Sequence, residues 1–110
     1  MSDRELLELA AKAAWYDVVY ESTYLTFFRQ NVPGRPIWNP LNDDGDALRL
    51  AVKLRLIIDP VAETLDGTAP CAAVWCEPKR SYIMEPFNDD PCAATRRAIV
   101  KAAAAIGGEE

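Results

Sequence analysis

The sequence contains no histidine, and this absence excludes several kinds of active site. Histidine is the usual general base near neutral pH, the partner of serine and cysteine nucleophiles, and a frequent ligand of zinc and other transition metals. An enzyme built from this chain would depend on carboxylates, lysine, tyrosine or cysteine alone. We therefore expect a protein that acts without catalysis, without a cofactor and without a bound metal.

Cysteines and long apolar runs are also scarce. The three cysteines include Cys71 and Cys76, whose separation is not the C-x-x-C spacing of redox and zinc sites. No apolar run approaches the ~20 residues that a membrane-spanning helix requires. The first residues, "MSDRELLELAAKAAW", are charged and helical in pattern, unlike a signal peptide. We expect reduced thiols, no membrane partner and a cytosolic location.

Basic residues are outnumbered by acidic ones. The chain has 12 Lys and Arg against 17 Asp and Glu, a net charge of −5 and a pI near 4.7. Binding to duplex nucleic acid depends on cationic contacts to phosphates. This balance argues against duplex nucleic acid as the main partner and favours a basic protein surface, because complementary potentials steer association.

The residues that are present describe a globular α+β protein. All 110 residues are expected to form one domain, because a chain of this length has the size of a single domain. With 50% hydrophobic and 26% charged residues, it has the ordinary balance of a soluble domain. Helical spacing of apolar residues predicts three helices, near residues 2–14, 43–55 and 90–106. Period-two segments predict a hairpin from "YDVVYE" and "YLTFFRQ", then strands in "RLIID", "CAAVWCE" and "SYIM". The proline-rich "NVPGRPIWNP" and the segment around Asp66-Gly67 are predicted loops.

This order, αββαββα, predicts an antiparallel sheet of four or five strands layered with helices. A phrase is repeated within it, since "WNPLNDDGDALRLAVK" and "MEPFNDDPCAATRRAIVK" both place Asn-Asp-Asp before an apolar helical segment. Short acidic side chains accept hydrogen bonds from the free N–H groups of a first helical turn. We interpret the phrase as a repeated helix start, capped by Asp43 or Asp44 and by Asp90, and Ser2 as the cap of the first helix.

Metal binding is the alternative reading of the acidic residues. A calcium loop needs acids at positions 1, 3 and 5 before its glycine at position 6, and Gly45 would place Pro40 at position 1. A Mg²⁺ site shared by the two Asp-Asp pairs stays open, because it needs only that both helices start at one edge of the sheet. Beside Val100 on the third helix, Arg96 is expected to reach solvent or to pair with a carboxylate.

Three stretches, "DRELLELAAKAA", "WNPLNDDGDALRLAVKL" and "ATRRAIVKAAAAIG", resemble the phage ABA-sandwich domain family. These small proteins of tailed phages and prophages are named for a helix-sheet-helix layering. The resemblance covers both ends and the middle of the chain, whereas residues 16–35 and 60–84 carry little of it. It implies this fold, a phage origin and the host cytosol, and it carries over no catalytic residues.

Two functions are compatible with these features. The first is non-catalytic binding to a host or phage protein, as in an inhibitor of a host defence complex such as a CRISPR inhibitor. Its predicted surface is the "ESTY" turn with the "NVPGRPIW" loop, represented by Asp17, Glu21, Arg35 and Trp38. The second is sequestration of a nucleotide-type signal, with phosphate contacts predicted at Arg29, Arg35, Lys79 and Arg80. A homo-oligomer is compatible with this second function, since its pocket would lie between subunits.

Overall fold

The computed structural model describes residues 1–63, 67 and 69–108, with the backbone alone at Val61. The α+β class, the three predicted helices and the hairpin are confirmed. The helices and strands are α1 (Asp3–Ala13), β1 (Val18–Glu21), β2 (Thr26–Arg29), β3 (Ile37–Trp38), α2 (Asp44–Leu54), β4 (Ile58–Glu63), β5 (Pro70–Cys76), β6 (Ser81–Pro86) and α3 (Pro91–Gly107). Of the loop predicted at Asp66-Gly67, Asp66 lies outside the described residues.

The strands form two antiparallel sheets instead of the expected single sheet. The first sheet has the order β1-β2-β3 and the second has the order β4-β5-β6. β3 is the edge strand of the first sheet. Pro36 and Pro40 flank it, and proline has no N–H group that could donate to a further strand. The sequence predicted a loop across both prolines, but the two residues between Pro36 and Asn39 form a paired strand. Ile37 lies opposite Phe28, and Trp38 lies opposite Phe27.

The first helix begins with a capping box. The backbone N–H of Glu5 donates to Ser2 Oγ at 3.2 Å, and the backbone N–H of Ser2 donates to Glu5 Oε1 at 3.3 Å. Hydrogen bonds from the backbone and hydroxyl of Ser2 lower the pKa of Glu5. Two otherwise free N–H groups are thereby satisfied by side chains.

The repeated phrase starts α2 and α3 in the same way. Asp43 caps α2, since its Oδ2 accepts from Asp46 N at 2.8 Å. Asp90 caps α3, since its Oδ1 accepts from Ala93 N at 3.0 Å, and Pro91 follows at the first helical position. Proline is favoured there because its missing N–H would have no helical partner.

Replacing Asp90 with alanine is expected to lower the free energy of unfolding by about 1 kcal/mol, because one N–H of the first turn loses its acceptor. Chemical denaturation measures the change. Asp89→Ala is the matched control, because the neighbouring carboxylate does not cap α3. The melting temperature should be the same with and without EDTA, and a large fall on chelation would favour a metal at the helix starts.

The central helix of the core is α3, which packs against α1, α2 and all three strands of the second sheet. Alanines dominate the buried face of α3 and make up half of the buried residues of α1, and small side chains let two helices lie close together. The first sheet joins the same core through Phe27 and Trp38. Cys71 and Cys76 in β5 are free thiols, and both are buried. No helix within the described ranges combines the length and hydropathy needed to cross a bilayer.

Candidate functional site

The turn and loop predicted as a binding surface meet on the outer side of the first sheet. Phe28 points outward from β2 beside Ile37 of β3, because successive strand residues face opposite sides and Phe27 is buried. Tyr24 contacts Phe28 edge-on, with ring centroids 6.0 Å apart. Glu21 and Arg35 pair at 3.4 Å beside them. We call Glu21, Tyr24, Phe28, Arg35 and Ile37 the sheet face.

The sheet face exposes large apolar side chains around a shallow cavity of about 770 Å³. Tyr24 is 70% exposed and Ile37 is 60% exposed. The Arg35 guanidinium lies 5.6 Å from the Phe28 ring centroid, close enough for a cation–π contact. Single exposed apolar residues are ordinary, whereas a contiguous group of them is a candidate for a binding surface.

The prediction that Trp38 belongs to the binding surface is wrong. Trp38 is 2% exposed and its ring packs edge-on against Tyr16, with centroids 5.8 Å apart. In a two-residue strand only one side chain faces inward, and here the larger one fills the core. Ile37 takes the outward position, and sequence reasoning missed it.

The remaining predicted protein-contact residues are only partly brought together. Glu21 and Arg35 form the ion pair of the sheet face. Asp17 lies before the first residue of β1, away from the hairpin turn, where its carboxylate accepts a hydrogen bond from the Asn31 amide at 2.9 Å. Asp17 therefore stabilises the open end of the hairpin and is not part of the sheet face.

The four cations predicted to contact phosphate lie in three places. Arg29 stacks over Tyr16, with its guanidinium carbon 4.1 Å from the ring centroid. Arg35 lies on the sheet face. Lys79 and Arg80 occupy the turn between β5 and β6, in the other sheet. These side chains do not converge on one concave site.

A polar cavity of about 560 Å³ lies at the start of α2. We call it the cap cavity; its lining includes Arg29, Asn39, Asn42, Asp43, Asp46 and Arg49. Asp46 is held by two donors, the backbone N–H of Asn39 at 2.9 Å and Arg49 Nη2 at 2.8 Å. The hydrogen bond to Asp46 raises the pKa of Arg49. The cavity therefore carries charges of both signs.

An apolar groove of about 370 Å³ lies between the starts of α2 and α3, with Leu48, the exposed Cys92 and Ile99 among its lining residues. Arg96 closes one side of it. Its Nη1 lies 2.6 Å from Asp44 Oδ1, and its Nε donates to the Leu41 carbonyl at 2.8 Å. The predicted pairing of Arg96 with a carboxylate is confirmed.

The two helix starts do lie at one end of the molecule, as a shared Mg²⁺ site would require, because Asp44 and Pro91 line the same groove. Asp44 is engaged by Arg96, however, and Asp90 is engaged as the cap of α3. In the described part of the chain, no three potential metal-ligating side chains of Asp, Glu, Cys or His come together.

Comparisons of the chain with models of protein families, with curated proteins and with solved structures gave no match. The resemblance to the phage ABA-sandwich family therefore stays a prediction. The sheet face and the cap cavity are the two candidate functional sites of the protein.

Proposed function

We propose that this is a phage-encoded accessory protein that acts by binding a host protein and blocking it, without catalysis. A host defence or regulatory complex is the proposed class of target. The sheet face is the proposed contact surface. The observation that carries the proposal is the group of exposed aromatic and aliphatic side chains around the Glu21–Arg35 ion pair.

The composition of the sheet face is that of a protein interface. Tyrosine, phenylalanine and arginine are enriched in the energetically dominant parts of interfaces, and Tyr24, Phe28 and Arg35 lie together here. The turn that carries Tyr24 and the loop that carries Arg35 are attached to β2 and β3, which pair with each other and bury their inward side chains. Loops placed on such a scaffold vary without unfolding it, which suits a surface adapted to one target.

The net negative charge of the protein favours a partner with a basic surface. With a net charge of −5, the protein is attracted to a basic surface and repelled by nucleic acid. A basic nucleic-acid-binding groove on a host protein has the complementary potential, and an acidic domain seated there would exclude the natural ligand. The alternative function, sequestration of a nucleotide-type signal, has less support because its four cations lie in three places.

Alanine substitution of Tyr24 or Ile37 is expected to weaken a complex captured from a bacterial host by about 10-fold or more, because central apolar contacts dominate interface energy. Affinity is measured by calorimetry with the purified partner. Ile57→Ala is the matched control, because Ile57 and Ile37 are both 60% exposed and Ile57 lies outside the sheet face.

Folded Tyr24→Ala and Ile37→Ala variants that bind as tightly as the unaltered protein would show that the sheet face is not the interface. Turnover of a nucleotide by the purified protein would contradict the non-catalytic proposal altogether. Association with the partner is also expected to slow steeply as salt rises from ~50 to ~200 mM while dissociation changes less, because salt screens the charge attraction that steers the encounter.

A further inference from the structure

Side-chain oxygens of Asp43, Asp46 and Asn39 in the cap cavity accept hydrogen bonds from the protein itself. Asp43 Oδ2 accepts from Asp46 N at 2.8 Å and lies 3.8 Å from Arg49 Nη2. Both oxygens of Asp46 accept hydrogen bonds, one from Asn39 N and one from Arg49. The side-chain oxygen of Asn39 accepts from Leu41 N at 3.0 Å. These carboxylates are thus already hydrogen-bonded or ion-paired to Arg49 and to backbone donors.

Unlike those of Arg49, the side-chain donors of Arg29, Asn39 and Asn42 are not engaged in this way by the described residues. Within the described ranges, the guanidinium of Arg29 has no hydrogen bond and no carboxylate partner, and it stacks on the Tyr16 ring. Its Nε is sealed from solvent, so the cation is hydrated only on its open side. The side-chain amide nitrogens of Asn39 and Asn42 likewise make no hydrogen bond to described residues.

We propose that the cap cavity binds the carboxylate group of a small ligand, with Arg29 as the cation and the amides of Asn39 and Asn42 as further donors. A partly desolvated guanidinium gains more from an anion than a fully hydrated one, and its planar fork matches a carboxylate. The volume of about 560 Å³ lies in the range of small-molecule sites.

Carboxylate is favoured over phosphate by the charges around the cavity. Arg29 and Arg49 are balanced by Asp43 and Asp46, so the site tolerates one added negative charge better than two. A phosphate dianion would be repelled by both carboxylates at close range. This inference goes beyond the proposed function, although Thr26 and Ile37 line both the cap cavity and the cavity of the sheet face.

Titration of ¹⁵N-labelled protein with acetate, propionate and inorganic phosphate tests the proposal. We expect saturable shifts of the Arg29 Nε–H signal and of the Asn39 and Asn42 amide signals with both carboxylates, and weaker binding of phosphate. Arg29→Gln should reduce carboxylate affinity ~10-fold or more, because it removes the charge and the fork. Arg29→Lys keeps the charge but not the fork, so its carboxylate affinity should lie between those of the unaltered protein and Arg29→Gln.

Arg80→Gln is the matched control, because Arg80 lies in the turn between β5 and β6, in the other sheet and outside both the sheet face and the cap cavity. Its carboxylate affinity should equal that of the unaltered protein. Non-saturable shifts, tighter binding of phosphate, or equal loss in Arg29→Gln and Arg80→Gln would each overturn the proposal. Partner-protein affinity measured on the same Arg29→Gln variant keeps this test separate from that of the proposed function.

Discussion

Trp38→Ala is expected to lower the free energy of unfolding by about 3–5 kcal/mol, the usual cost of truncating a buried aromatic side chain to alanine. Trp38 is 2% exposed and packs against Tyr16 and the inner side of the first sheet. Removing the indole leaves a cavity in the core beside Tyr16. Urea denaturation followed by circular dichroism measures the change.

The neighbouring substitution Ile37→Ala is the internal control, because Ile37 belongs to the same strand but is 60% exposed. It should change stability by no more than ~0.5 kcal/mol. A Trp38→Ala variant as stable as Ile37→Ala would contradict the assignment of Trp38 to the core. The pair also separates stability from binding, since Ile37 is the residue of β3 that the sheet face presents to a partner.

Gly107→Ala is expected to destabilise the protein by about 1–3 kcal/mol or more, because the added methyl group overpacks a backbone contact. A Cβ at Gly107 would lie 2.0 Å from the carbonyl oxygen of Leu9. The last turn of α3 therefore rests directly on the backbone of α1, and neither helix can yield by turning a side chain. Thermal and urea denaturation both report the loss.

Gly108→Ala is the matched control in the next position. Its nearest atom would be the Ala104 carbonyl oxygen at 3.4 Å, an ordinary contact, and its φ of −85° suits any residue. We expect a change within ~0.5 kcal/mol, with a small gain because glycine is a poorer helix former than alanine. A stabilised Gly107→Ala variant would show that α1 and α3 are not in backbone contact.

Much of the secondary structure could be predicted because its causes are local. Each helix begins at a side chain that accepts the N–H group three residues later, as Ser2, Asp43 and Asp90 do, and such contacts form within one turn of chain. The β1-β2 hairpin is also local, since a short turn sets its register. The strand predicted over "RLIID" begins later, at Ile58, because Arg55 ends α2 in the left-handed conformation with φ 54°.

The candidate sites could be predicted only in part, because they depend on which segments pack together. Sequence reasoning placed Glu21 and Arg35 on one surface, where they do pair. It also grouped Arg29 and Arg35 with two residues of the β5–β6 turn, although these are separated by the division into two sheets. The type of a residue determines what its side chain is able to bind. Which residues lie next to that side chain depends on contacts between distant segments.

The amino-acid sequence by itself determined the class of fold, the three helix starts, the hairpin and the lack of histidine chemistry, because each follows from composition or from residues a few positions apart. Only the tertiary structure decided that Trp38 faces inward and Ile37 outward, and that Arg96 of α3 reaches Asp44 of α2. It also decided that Arg29 lies over Tyr16 without a carboxylate partner in the described chain. The physical reason is that burial and ion pairing depend on the packing of whole helices and sheets, which no local segment specifies.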